Sequence, residues 1–298
     1  MKKKSFLNKS RHLLKETFTE FISDNALQLS AALSCYTLFS LTPLLIVIIY
    51  ISGIFFGEHA ITGEVFDHIN GLVGSRAAFE IQEAIKAVTL TSNAVATAFG
   101  IIFSVIAASG VFAEIQTSVN YMWGVKTKPA HGFRKFLINR LMTFALIGST
   151  GILFLAGLIL NSLMDLLNKR LIISLPDLNI NLYYVINLLI LFVILILLFT
   201  IIFKILPDGK IVLPDCLVGA TFTAVLFMIG KLAVGTWLGS TAILSIYGAA
   251  GTLILILAWV YYSCIILYFG AEFTKVYARI HSDKIIPNEY SMRIVKNK

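Results

Sequence analysis

The chain has 298 residues, 58% of them hydrophobic and 13% charged, with a formal net charge of +8 and a mean hydropathy of +0.86. So apolar a composition excludes an ordinary soluble globular domain. The positive balance suits nucleic acid or anionic lipid, and where the cations lie has to decide between them. Three cysteines, Cys35, Cys216 and Cys264, all sit inside apolar runs; they form neither a disulfide framework nor metal-ligand spacing.

Residues 1–23 carry Lys2, Lys3, Lys4, Lys9, Arg11 and Lys15, with Phe6, Leu7, Leu13, Leu14, Phe18, Phe21 and Ile22 at near-helical spacing. A basic amphipathic helix on an anionic membrane surface is predicted. The apolar run that follows is far longer than a signal-peptide core and is expected to be retained as a span.

From Leu27 to Phe56 there is no charged residue. About 30 helical residues reach roughly 45 Å, against a hydrocarbon core of about 30 Å, so one upright span is excluded. Ser30, Ser34 and Thr37 share a face in the first half, whereas the run after Pro43 is LLIVIIYI. Proline removes an N–H donor and predicts a bend there. The polar half is then either an ordinary kinked helix packed on neighbours or the lining of a central cavity. Both readings bury it.

Residues 58–92 are too polar to cross and are predicted to form two short amphipathic helices, as a lid or a packed surface loop. The second span, about Asn93 to Trp123, places Gly100, Ser104, Ala107, Glu114 and Ser118 on one packing face. A basic loop ending in Arg140 leads to a glycine-rich third span, about Leu141 to Leu163. The fourth, about Leu182 to Phe203, is almost wholly Leu, Ile, Val and Phe and should face lipid. The turn LPDGKIVLPD reverses the chain. The fifth span, about Asp215 to Leu238, contains Lys231. The sixth, about Ala249 to Phe269, has Glu272 just beyond it, and a basic, polar tail follows.

Several segments carry a resemblance. SAALSCYTLFSLTP in the first span, SVNYMWGV at Ser118 to Val125, ILPDGK at Ile205 to Lys210, and YGAAG…GAEF between Tyr247 and Phe273 together resemble the YihY/BrkB family of bacterial inner-membrane proteins. The likeness runs from Asp24 to about Ala278. It implies a six-helix protein of the bacterial cytoplasmic membrane. It implies little chemistry beyond an old label, on some members, as a tRNA-processing ribonuclease.

Cation placement sets the orientation. The N-terminal segment, the loops after spans two and four, and the tail hold 6, 5, 2 and 6 Lys/Arg, against 2 in each opposite loop. By the positive-inside rule both termini are cytoplasmic. The positive charge then lies along the inner membrane face, which removes the main argument for nucleic acid. The predicted fold is all-α and polytopic: residues 1–23 as the N-terminal segment, 24–278 as six transmembrane helices, and 279–298 as a cytoplasmic tail.

No catalytic or metal site is expected. The five histidines, His12, His59, His68, His131 and His281, lie in loops and tails on both sides, without HxH or HxxxH spacing. The spans hold no paired aspartates, and there is no HExxH. No cofactor is expected either. The ribonuclease label finds no support in these residues.

Ionisable groups in or near the spans are the remaining candidates, since burial in lipid costs about 3 kcal/mol even on insertion scales. Glu114 and Glu272 fall toward the cytoplasmic ends of their helices, and Arg140 is the expected partner of either. That trio is a register-fixing ion pair or a proton- or substrate-coupled gate. Lys231, nearer the outer side, either snorkels outward or contacts an anionic group. The expected function is movement of a lipid or small amphiphilic or anionic solute across or within the membrane. The rival is a non-transporting scaffold or envelope-assembly factor. Membrane lipids are the expected partners; sequence sets no oligomeric state.

Overall fold

The computed structural model describes residues 2–40, 110–128, 149, 179–239, 249–282, 285–289 and 291–293. Pro43, Arg140, the 58–92 segment and most of the second and third expected spans lie outside them. Six helices are described: α1 (Lys2–Ser23), α2 (Ala26–Ser40), α3 (residues 110–122), α4 (Asn179–Ile205), α5 (Leu213–Gly239) and α6 (Ala249–His281). Among the described residues, three stretches are long and apolar enough to cross a membrane: Val185–Ile205, Leu213–Lys231 and Ile256–His281. They match the fourth, fifth and sixth expected spans. The sixth helix runs on past the expected end at Phe269 to His281.

Local chemistry explains the helix boundaries. Asn25 turns the chain between α1 and α2 with φ 53°, a left-handed conformation that asparagine tolerates. Gly124 stops α3 with φ 67°, and its N–H donates to the Tyr121 carbonyl at 3.1 Å, as a helix-ending glycine does. In the last turn of α4 the Lys204 ammonium donates to the Ile211 carbonyl. Helix α5 opens on Leu213-Pro214-Asp215: proline suits a first turn that has no use for its N–H, and the acid suits the dipole.

Two short antiparallel ribbons modify the all-helical expectation. Strands β1 (Val125–Thr127) and β4 (Ser291–Arg293) pair, as do β2 (Gly209–Lys210) and β3 (Ile286–Pro287). The polar C-terminal segment thus crosses back over the turns that end α3 and α4. Asn288 N–H donates to the Asp208 carbonyl at 2.8 Å between the ribbons. Backbone pairing leaves almost no hydropathy signal, which is why composition marks this segment only as a tail.

The chain divides into two compact units. One comprises Met1–Leu29, Ile115–Gly235 and Ile265–Lys298; the other comprises Ser30–Glu114 and Thr236–Cys264. In the first, Leu13 of α1 packs with Phe273 and Val276 of α6 and Phe222 of α5. Phe222 and Phe273 stack at 3.9 Å, and Phe21 meets Phe269 edge-on at 5.4 Å. Helix α4 turns Phe199 and Phe203 inward, with Phe199 against Phe227 of α5, and leaves Val185, Leu189, Val193 and Leu197 exposed. Set four residues apart, they form one exposed apolar stripe.

Helices α5 and α6 meet through a reciprocal pair of small residues. Thr223 Oγ1 donates to the Gly219 carbonyl one turn back, and Thr274 Oγ1 to the Gly270 carbonyl, both at 2.7 Å. Each threonine also fills the space over the other helix's glycine. A Cβ on Gly219 would sit 2.8 Å from Thr274 Cβ, and one on Gly270 would sit 2.9 Å from Thr223 Cβ. Where lipid is as apolar as the helix, such close backbone approach supplies the packing.

In the second unit, α2 buries Ser30, Leu33, Ser34 and Ser40 and exposes Tyr36 and Phe39. Ser34 Oγ donates to the Ala31 carbonyl and Thr37 Oγ1 to the Leu33 carbonyl, both at 2.8 Å. The polar stripe is therefore an inward face.

Candidate functional site

Glu272 is the candidate that the fold draws into a network. Its side chain is 0% exposed, on a helix apolar enough to span a membrane. Three residues on, Lys275 lies with its Nζ 2.7 Å from Glu272 Oε2, 2.6 Å from Glu20 Oε2 and 3.3 Å from Asp24 Oδ2. The same Nζ donates to the Met122 carbonyl at 2.8 Å. One ammonium thus joins α1, the Asp24 turn, the end of α3 and α6. An ammonium has three donors, and four oxygens surround it.

A second cation extends the cluster outward. Arg279 Nη2 donates to Glu16 Oε1 at 2.6 Å and Arg279 Nη1 to Glu20 Oε1 at 2.8 Å. Glu16, Glu20 and Asp24 recur every four residues on one side, and Lys275 and Arg279 on the other. The helix repeat turns both spacings into facing stripes. Burial alone would push up the Glu20 carboxyl, but Lys275 and Arg279 hold it below the usual carboxylate range. Four carboxyls (Glu16, Glu20, Asp24, Glu272) meet two cations (Lys275, Arg279) here, so the cluster has two more acids than bases. Lys275 fills the place at its centre that a free cation would otherwise take.

A second polar network is built on Asp208. The Asp208 amide donates to Asn120 Oδ1 at 2.7 Å, Asn120 Nδ2 donates back to Asp208 Oδ2 at 2.9 Å, and Gln116 Nε2 reaches Asp208 Oδ1 at 3.4 Å. Trp123 Nε1 donates to the Ala271 carbonyl at 3.2 Å. The motif segments SVNYMWGV, ILPDGK and GAEF therefore pack on one another, though they lie far apart in the chain.

The remaining candidates are placed as follows. Ser30 and Ser34 are buried and Thr37 is half-buried on α2; Glu114 is half-buried on α3. Lys231 is exposed on α5. Pro43 and Arg140 fall outside the described residues, and with them the expected coupling of Arg140 to Glu114 or Glu272. Within the described residues the cation on Glu272 is Lys275. Sequence reasoning passed over Lys275, Arg279 and the acids of α1 because it weighed α1 by its lysines alone. The signal was present in the three acids at intervals of four.

The family described as Virulence factor BrkB matches residues 17–292. The chain is similar to a UPF0761 membrane protein of Pseudomonas aeruginosa, 25% identical over 252 residues, which are 84% of this chain and 59% of that protein. It is also similar to a UPF0761 membrane protein of Teredinibacter turnerae, 27% identical over 268 residues, 89% of this chain and 60% of that one. The chain spans about three-fifths of the length of these curated relatives. No solved structure matches it.

Proposed function

The chain belongs to the BrkB family of membrane proteins, and on that premise we propose that it moves a lipid or a small amphiphilic or anionic solute across or within the bacterial cytoplasmic membrane. The observation that carries this reading is the Glu272 carboxyl, wholly buried on a helix long and apolar enough to cross a membrane, in a cluster with surplus acids. Hydrophobic residues of similar volume often stabilise as well as a buried ion pair or better, so fold stability is a weak reason to keep one. Charge at such a position is by default part of a pathway or a coupling site. The buried Ser30–Ser34 face of α2 supplies polar groups of the kind a solute path needs.

A second reading has its own observation. Lys275 binds α1, α3 and α6 together, as a register-fixing tie in a non-transporting scaffold would. Mass spectrometry of whatever stays bound to the gently purified protein separates the two, followed by flux of that compound in proteoliposomes. Transport predicts one compound enriched over bulk lipid, moved by the wild type and not by a folded Glu272→Gln variant. No enrichment and no flux would leave the scaffold.

A further inference from the structure

The two ribbons carry an inference independent of transport. The eight-residue step from Ile205 to Leu213 joins α4 and α5, both long and apolar enough to cross a membrane, and a short turn between two such helices belongs where hydrocarbon meets headgroups. Strand β2 is inside that step and holds β3 beside it. The remainder of the C-terminal segment, through β4, is held there too by β1.

Paired residues of an antiparallel ribbon point to the same face. Lys210 lies opposite Ile286, and Lys126 opposite Met292, and all four are exposed. The alternate positions Val125, Gly209 and Ser291 are buried. Ile286, at 60% exposed, and Val212, at 57%, are the most exposed apolar groups of the turn and its ribbon. Of the acids among the described residues of these segments, Asp208 is buried and Glu289 is exposed, with Lys128 Nζ donating to the Glu289 carbonyl at 3.0 Å.

We propose that this outward face, with lysines set beside exposed aliphatic side chains at the membrane boundary, docks on the anionic headgroups of the adjoining leaflet and clamps the C-terminal segment there. Aliphatic groups enter the headgroup–acyl boundary while the ammonium groups meet lipid phosphates. Binding to nucleic acid phosphates would use the lysines and leave the exposed Ile286 and Val212 without a role.

The test is amide hydrogen exchange on the full chain in nanodiscs of phosphatidylcholine, with and without phosphatidylglycerol. Exchange in β2, β3 and β4 is expected to slow about fivefold or more in the anionic discs, and the difference to shrink at roughly 0.5 M salt. The Lys126→Gln/Lys210→Gln variant should exchange equally in both discs, and Ile286→Ser should exchange faster in both. Equal exchange of the wild type in the two discs overturns the proposal. So does a lipid dependence that survives in the double variant or is indifferent to salt.

Discussion

Asp208 and Asn120, 88 residues apart, exchange two hydrogen bonds, at 2.7 and 2.9 Å, in a buried position where the ends of α3 and α4 meet. Asn120→Ala takes away both at once and leaves the buried Asp208 amide without its side-chain acceptor. A loss of about 2–4 kcal/mol is expected, because orphaned buried groups cost more than the bond itself. Thermal unfolding in detergent measures it. A change no larger than that of an exposed substitution would show that water replaces the side chain.

Lys275→Met should be the most damaging change in the carboxylate cluster. It leaves three acids around an empty centre, and breaking such a buried pair costs about 3–5 kcal/mol. Adding Glu272→Gln should recover part of the loss, since it removes the most deeply buried of those charges. Strictly additive unfolding energies would mean that the two residues do not interact. Arg279→Ala, at a side chain 39% exposed, should cost about 1 kcal/mol or less.

Acid sensitivity follows from Glu20. Its folded carboxyl titrates below the usual range because Lys275 and Arg279 outweigh the effect of burial. Its contribution is therefore complete above the ordinary carboxylate range and is lost as pH falls through the lowered folded value. Glu20→Gln should be less stable than wild type at neutral pH and should lose less on acidification. Parallel pH profiles for the two proteins would refute this account.

Gly219→Ala or Gly270→Ala should force α5 and α6 apart, since each added methyl meets a threonine on the other helix. Overpacking of this kind typically costs about 1–3 kcal/mol. Gly270→Ala combined with Thr223→Ala, which removes both the hydroxyl and the methyl that crowd the added carbon, should recover some stability. Failure of any such recovery would place the damage elsewhere.

Orientation can be checked directly. With Cys35 replaced, single cysteines introduced at Thr62 and Thr127 should label from opposite sides of intact cells, Thr62 from outside. Labelling of both from one side would overturn the six-span arrangement with cytoplasmic termini.

Sequence alone determined that this chain enters the membrane, because 18 or more consecutive apolar residues have few other places to go, and α4, α5 and α6 follow from that. It also singled out Glu272, since a charge at the end of an apolar helix is conspicuous in any composition. The family likeness was equally readable, in motifs whose spacing and order are linear facts. Only the tertiary structure decided what those motifs are for. Asn120 meets Asp208, and Trp123 meets the Ala271 carbonyl, across gaps of 88 and 148 residues that no local periodicity can bridge. It likewise decided that Glu272 answers to Lys275 and the acids of α1, and that the tail folds into ribbons. Hydropathy records how each residue partitions from water. It does not record which distant residue completes a hydrogen bond or balances a buried charge.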